Sequence, residues 1–328
     1  MDKRENKHEY AKTLSVYSFM ELIPNEQAAV KFLEKQIWED KPVCPYCEST
    51  ENTPRPKRKG HHCRRCRKDF TIRTGTIFEN SRLPLKKWLY TMYLFVTSRK
   101  GVSSLQLSKE IGVTQKTAWF LLQRIREACN GNTEMLNGIV EIDQTYIGGK
   151  EKNKHESKKI EGSQGGKNKD IVMGYKERDG KVKAEVIPNL QHETLKENIE
   201  KNVKKDATIC TDELKGYNGI EGYTHLKVNH SAKEFVNGMA STNGIESFWA
   251  VLKRGYVGTY HDFSTKHLPR YINEFSFRQN EGNCKIDTID RMKALCDKGI
   301  GKYLSYKRLT KGISPSKNSL MDFLQSLV

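Results

Sequence analysis

Four cysteines stand in two pairs, Cys44-Pro-Tyr-Cys47 and Cys63-Arg-Arg-Cys66, with fifteen residues between the pairs. A CxxC knuckle turns two thiolates toward one point, and two knuckles complete a tetrahedron of sulfur around Zn²⁺. The C-x2-C-x15-C-x2-C spacing therefore predicts a zinc ribbon with Cys44, Cys47, Cys63 and Cys66 as ligands. A disulfide pair, a redox CxxC pair, or His61 or His62 replacing one thiolate are the alternatives. Four protein ligands leave no open position, so the zinc is expected to be structural. Cys129, Cys210, Cys284 and Cys296 are isolated.

The surroundings of the knuckles are basic. Arg55, Lys57, Arg58, Lys59, Arg64, Arg65, Arg67 and Lys68 place eight positive charges in fourteen residues without an acid. Such a run can be a solvated face; on a zinc scaffold it is better read as a surface that contacts DNA phosphates. The whole chain shares the bias, with 57 Lys+Arg against 40 Asp+Glu and a net charge of +17 over 328 residues. That sign favours a polyanionic partner and says nothing about fold. Twelve Phe, 14 Tyr and 4 Trp argue for a folded chain despite 30% charged residues. A membrane span is excluded, since the most apolar stretch, Leu89–Val96, is far short of about 20 residues. The opening MDKRENKHEYAKTLS lacks the apolar core of a secretory signal. A cytoplasmic protein is expected, associated with the nucleoid if its partner is DNA.

Texture divides the chain into a helical lead-in over 1–37, broken near Pro24, the zinc ribbon over 38–80, and a helical region over 83–130. Within the lead-in, Leu14, Phe19, Leu22, Ala28 and Phe32 are apolar. In the third segment, Ser103–Ile111, the turn Gly112-Val113-Thr114 and Gln115–Glu127 have the layout of a helix-turn-helix, with Thr114 as N-cap of the second helix. Gln115, Lys116 and Thr117 would form its first exposed turn, where a recognition helix meets base edges. An ordinary packing hairpin is the alternative. Between 136 and 280 β-like segments appear at Gly138–Gly148, Asp170–Tyr175, Lys181–Ile187 and Ala207–Thr211. Lys150–Lys169, with seven lysines and no aromatic residue, reads as a mobile loop. Residues 281–328 read as a C-terminal helical tail.

Three acidic positions fall in telling places. Asp143 lies inside an apolar strand, where a carboxylate is costly unless it meets a cation or a partner. Asp212 follows a short apolar strand. Glu246 shares a helix face with Asn243 and Lys253, at i−3 and i+7. Two Asp on strands and a Glu on a helix can hold two Mg²⁺ through oxygen ligands. Such ions activate an attacking water or 3′-hydroxyl and stabilise the leaving oxygen of a phosphodiester.

CPYC and CRRC, HHCRRCRKDFTIRTGTIFENSRLPLKKW, VEIDQTYIGG, TDELKGY and STNGIESFWAVLKRGYVGTYHDFSTKHLPRYINEFSFRQN together resemble a known family. The chain is similar, over roughly 15–280, to bacterial insertion-sequence transposases of the DDE superfamily, in the subgroup with an N-terminal zinc ribbon and a DD(E/N)K pattern. The resemblance implies an RNase H-like catalytic domain of α/β (α+β) class over 136–280. It puts Asp143 on the first strand, Asp212 at the end of a later one, and the third acidic position on Glu246, with Asn243 as the alternative. Mg²⁺ or Mn²⁺ would be bound there, and Lys253 would contact substrate phosphate. Double-stranded DNA, both element ends and target, is the implied partner, and a dimer or larger assembly the implied form.

Further candidates follow from proximity. Tyr146 and Tyr217 lie near the two Asp and could reach DNA. Arg254, Lys266, Arg270 and Arg278 could contact phosphate, and His261 and His267 phosphate or core. Phe248, Trp249, Tyr260, Phe275 and Phe277 are expected in the core. The rival readings are a non-enzymatic zinc-ribbon and helix-turn-helix regulator, and an RNase H-like nuclease without strand transfer.

Overall fold

The computed structural model describes residues 12–39, 41–56, 60–131, 134–149, 169–228, 236–237 and 240–311. They form two compact units: the chain up to Cys129 together with the segment from Glu281 onward, and Asn130–Asn280.

In the first unit Pro24 separates α1 (Val16–Leu22) from α2 (Glu26–Trp38), and Asn25 caps α2 by accepting from the Ala28 amide (3.0 Å). Phe19, Ile23, Ala29 and Leu33 are buried. The apolar phase of α2 thus sits one residue beyond Ala28 and Phe32. Strands β1 (Asn52–Arg55), β2 (Gly60–Cys63) and β3 (Asp69–Phe70) make a small antiparallel sheet in that order.

The apolar run Leu89–Val96 lies in α3 (Leu85–Thr97), which buries Trp88, Leu89, Met92 and Phe95. Both oxygens of the Glu26 carboxylate accept from the first amides of α3, Leu85 (2.8 Å) and Lys86 (3.0 Å). A negative group there satisfies orphan donors and complements the helix dipole. Helix α4 (Ser104–Ile111) ends at Gly112, whose φ of 59° suits a residue without Cβ, and α5 (Gln115–Ala128) begins at Thr114 as its N-cap. The described residues of the segment read as a C-terminal helical tail belong to this unit. After Gln279, α9 (Thr288–Gly299) packs on α2, α3 and α5, and α10 (Tyr306–Lys311) follows. The guanidinium of the buried Arg291 donates to the Val96 carbonyl (2.6 Å), which ties α9 to the end of α3.

The second unit is built on one five-stranded sheet. Strands β4 (Ile139–Ile147), β5 (Asp170–Glu177) and β6 (Val182–Ile187) are antiparallel neighbours. Strands β7 (Thr208–Thr211) and β8 (Thr224–Lys227) run parallel to β4 on its other side, in the order β6-β5-β4-β7-β8. Helix α6 (His192–Asn202), which sequence texture did not suggest, covers one face with Leu195 and Ile199 against Val140, Ile142 and Ile209. A short β9–β10 pair (Val236–Asn237, Ala240–Ser241) leads into α7 (Asn243–Gly255). Helices α7 and α8 (Leu268–Gln279) cover the other face through Ile245, Phe248, Leu252, Ile272 and Phe275. No described helix is long and apolar enough to cross a membrane.

Candidate active site and metal centre

The four knuckle cysteines converge. Cys44 Sγ lies 3.6 Å from Cys66 Sγ, Cys47 Sγ lies 3.5 Å from Cys63 Sγ, and all four sulfurs fall within 4.8 Å of one another. Sulfurs about 2.3 Å from a tetrahedral ion stand about 3.8 Å apart, so the cluster fits a structural Zn²⁺. Burial pushes the Cys44 thiol up to about 12, while the Cys66 amide helps pull Cys63 down to about 6. A cation held by four thiolates overrides that spread. Trp38 and Phe70 pack beside the cluster, edge to face at 5.8 Å. His62 bonds Asp69 (2.7 Å) and His61 stacks on Phe70. Neither histidine joins the group of sulfurs.

Around this centre Arg55, Arg64, Arg65 and Arg67 are exposed, and Lys68 lies over the Tyr46 ring at 5.0 Å. Lys57, Arg58 and Lys59 lie outside the described residues, as does nearly all of Lys150–Lys169. On α5, Gln115 and Lys116 are exposed, with the Lys116 ammonium over Tyr306. Thr117 is half-buried and its hydroxyl meets that of Thr114 (2.9 Å).

In the second unit the acidic positions gather by sheet register. Glu141 on β4 faces Cys210 on the parallel β7, so the same register two residues on brings Asp143 beside Asp212, just past the end of β7. Side chains alternate along a strand, which turns Glu141 and Asp143 to the face covered by α7. Burial first, and then the charges of Asp212 and Glu246, push the Asp143 carboxyl up to about 6; the Gln144 amide and the Trp249 indole act in the opposite direction. Asp143 therefore feels both other carboxylates. The three do not close as tightly as the thiolates. Among the described residues only the cysteines bring three or more ligand atoms within 4.8 Å.

Each carboxylate is oriented by a neighbour. Trp249 Nε1 donates to Asp143 Oδ2 (3.0 Å). Asp212 Oδ2 accepts from Gln144 Nε2 (2.9 Å), and Gln144 Oε1 accepts from the Tyr217 hydroxyl (2.7 Å). The Leu214 amide donates to Asp212 Oδ1 (3.1 Å). Thr242 Oγ1 donates to Glu246 Oε1 (2.9 Å).

Two glycines make this possible. Gly174 on β5 is the cross-strand partner of Asp143, and a Cβ there would lie 2.5 Å from Trp249 Cζ2 and 2.8 Å from Ile245 Cδ1. The missing side chain is the slot in which the indole reaches Asp143. A Cβ on Gly244 would lie 2.7 Å from Glu141 Oε2. That oxygen accepts from the Ile245 amide (3.0 Å), so the buried Glu141 caps α7, while its other oxygen faces Arg178 (3.5 Å). Glu141 was not singled out from sequence; its place two residues before Asp143 on the same strand face was the available signal.

Several expected residues sit elsewhere. Tyr217 is fully buried beneath Gln144 and cannot reach DNA, because its hydroxyl holds a side chain inside the sheet. Tyr146 remains 41% exposed. Arg278 is 7% exposed and pairs with the buried Glu274 (2.6 Å), which makes it part of α8's interior rather than a phosphate contact. Arg270 Nη1 lies 3.5 Å from His267 Nδ1, and His261 is exposed with a left-handed φ of 63°. Lys253, Arg254 and Lys266 are exposed. Phe248, Phe275 and Phe277 are core, and so is Trp249 apart from its bond to Asp143.

Known proteins share both regions. The ISXO2-like transposase domain matches residues 135–280, and the transposase zinc-ribbon domain matches residues 24–69. A protein of Halobacterium salinarum, described as an uncharacterized protein in transposable element ISH50, is 27% identical over 275 residues, 78% of this chain and 91% of its own length. An uncharacterized transposase-like protein of Haemophilus influenzae is 31% identical over 107 residues, 32% of this chain and 85% of its own.

Proposed function

Because the chain belongs to the insertion-sequence transposases of the DDE superfamily, we propose that it binds the terminal inverted repeats of its element, cuts a strand at each end and joins the freed 3′-hydroxyl to target DNA. Asp143, Asp212 and Glu246 are the catalytic carboxylates in this reading. The observation that carries it is the register of β4 with β7, which sets Asp143 beside Asp212, with the half-buried Asp143 carboxyl raised by desolvation and by the charges of Asp212 and Glu246. Three such groups in one place are mutually costly, and a divalent cation removes the cost. Oxygen-only donors suit Mg²⁺ or Mn²⁺. When bound, the ions would supply an activated attacking oxygen and a stabilised leaving oxygen.

The protein's own contribution is orientation. Trp249 fixes Asp143, Gln144 fixes Asp212, and Thr242 fixes Glu246. Glu246 is preferred to Asn243 as the third residue, because its charge acts on Asp143 whereas Asn243 is exposed at the first turn of α7. Three antiparallel strands followed by two parallel ones, with acids at the centre, support an RNase H-like unit. Lys253 and Arg254, exposed at the end of α7, are offered to DNA phosphates, as are the arginines of the ribbon. Gln115, Lys116 and Thr117 open a helix suited to a DNA groove. Two ends cut together require two active sites, hence a dimer or larger assembly, and the DNA partner would place it at the nucleoid.

The test is incubation with an inverted-repeat end, a target plasmid and Mg²⁺. Joined products are expected from the native protein, and none from Asp143→Ala or Asp212→Ala. Full cleavage by either variant would remove these residues from catalysis. Cleavage without joining would make the protein a nuclease, and binding without cleavage a regulator.

A further inference from the structure

A cavity of about 290 Å³ in the first unit lies between α5, the start of α3 and the segment before it. Its lining includes Trp88, Phe120 and Leu121 as apolar walls, Thr117, and two arginines, Arg82 and Arg124, with no acidic residue. Its size is close to the lower end of small-ligand sites, about 300 Å³. Thr117, Leu121 and Arg124 follow one another at i, i+4 and i+7, so one face of α5 forms a wall.

Arg124 is the unusual member. It is 4% exposed, and its guanidinium lies over the rings of Trp88 (5.3 Å) and Phe120 (5.6 Å). No carboxylate pairs with it among the described residues. Glu79 gives it a backbone carbonyl as hydrogen-bond partner (Nη2···O 2.5 Å), while the Glu79 carboxylate, which accepts from the Gly75 amide, acts on Arg124 through its charge alone. Arg124 Nε has no acceptor. A buried guanidinium with no carboxylate in direct contact and with a donor unmet is a costly arrangement. Burial lowers its pKa to about 10, which still leaves it charged at neutral pH.

The walls are fixed in advance. Arg73 donates to the carbonyls of Ser81 (3.2 Å) and Leu83 (2.8 Å), and the Trp88 indole donates to Ser81 Oγ (3.0 Å). A site that is rigid, ring-walled and cationic, and opens beside the first turn of α5, matches a group with a flat π face and acceptor edges on an anionic backbone.

We propose that this cavity receives one unpaired base of bound DNA. The base would lie against the half-buried Phe120, with the buried Trp88 beneath Arg124 as the floor, an acceptor on its edge would meet Arg124, and the adjoining phosphate would meet the exposed Arg82. Stacking on aromatic side chains is sequence-tolerant and favours bases already out of the helix. The inference rests on DNA being the partner, and it adds a site apart from the acidic residues of the other unit.

The test uses the full chain and two duplexes of the same sequence. One carries 2-aminopurine paired with thymine, the other 2-aminopurine opposite an abasic position. We expect the unpaired probe to bind about tenfold more tightly, within the range of one base–aromatic stack, with its fluorescence quenched on binding. Phe120→Ala and Arg82→Gln should each reduce that preference. Arg82 is exposed, so its variant guards against a folding defect in the other. Equal affinity of the native protein for both probes would overturn the proposal, as would a preference that survives in both variants. If neither duplex binds, the DNA-binding reading itself fails; if both bind equally, only the pocket does.

Discussion

The cysteine cluster and the proposed acidic site of this chain are built on opposite plans. The cysteine cluster takes four ligands from 23 consecutive residues, Cys44 to Cys66, and brings their sulfurs within 4.8 Å. The proposed acidic site draws three carboxylates from a strand, a strand end and a helix spread over residues 143 to 246, and holds them further apart. The ribbon has three short strands and a core of Phe70, Trp38 and the cysteines themselves. The acidic residues sit in a unit with two apolar clusters of its own. A metal in the first place would therefore be structure, whereas in the second, on the proposed reading, it would add function to a unit that has apolar cores of its own.

Chelation is the strongest way to break this contrast. Structural zinc contributes on the order of 10 kcal/mol to such a module, so a zinc chelator should abolish amide protection in β1–β3. Protection in β4 and β5 should stay unchanged under chelation of any divalent ion. Hydrogen exchange on the full chain reads both; persistent protection of β2 without zinc, or loss of it in β4, would reverse the contrast.

The next effect is on acidity. The Asp143 carboxyl at about 6 lies above an exposed Asp at about 3.9. The metal-free folded state thus holds a proton that the unfolded chain has released, and stability falls as pH rises between those values. The limit is about 3 kcal/mol above pH 6. Asp143→Asn should match the native melting temperature near pH 4 and exceed it at pH 8 without metal, with the gap shrinking when Mg²⁺ is added. A gap independent of pH would mean that the fold does not hold the Asp143 carboxyl above its ordinary range.

Gly174→Ala probes the slot directly. Its Cβ would lie 2.5 Å from the Trp249 ring, and overpacking of this kind costs about 1–3 kcal/mol. We expect a lower melting temperature and slower strand cleavage, because the displaced indole pushes on α7 and Glu246. Native rates in this variant would remove Trp249 from the positioning of the site.

How much of this was legible follows the same division. The ribbon was readable because its ligands are local and their spacing is itself geometry. Thr114 and Gly112 were readable for a similar reason, each being a local backbone need. The acids were readable singly, as carboxylates in apolar strands, but their meeting depends on the parallel register of β4 with β7, which no local pattern encodes. Gly174 and Trp249 were invisible as a pair because 75 residues separate them. Nearness to Asp212 in sequence does not encode the face that Tyr217 takes, which is the buried one. For Arg278 the local cue to an interior place is Glu274, four residues before it on the same helix face.

Trp249→Phe sharpens the comparison most finely, because it keeps the ring in its slot and removes one N–H. In the zinc cluster the ligands hold one another through the ion. In the acidic site the orientation of Asp143 is held by a neutral donor 3.0 Å away. That donor favours the ionised carboxylate, so its loss should raise the Asp143 pKa further. The pH at which Mg²⁺-dependent cleavage falls to half should then move upward by up to about one unit, with little change in melting temperature. A tenfold change in a protonation equilibrium corresponds to about 1.4 kcal/mol, comparable with one hydrogen bond to a charged group. An unmoved midpoint would show that burial, the Gln144 amide and the neighbouring carboxylates set the acidity of Asp143, leaving the indole a packing role.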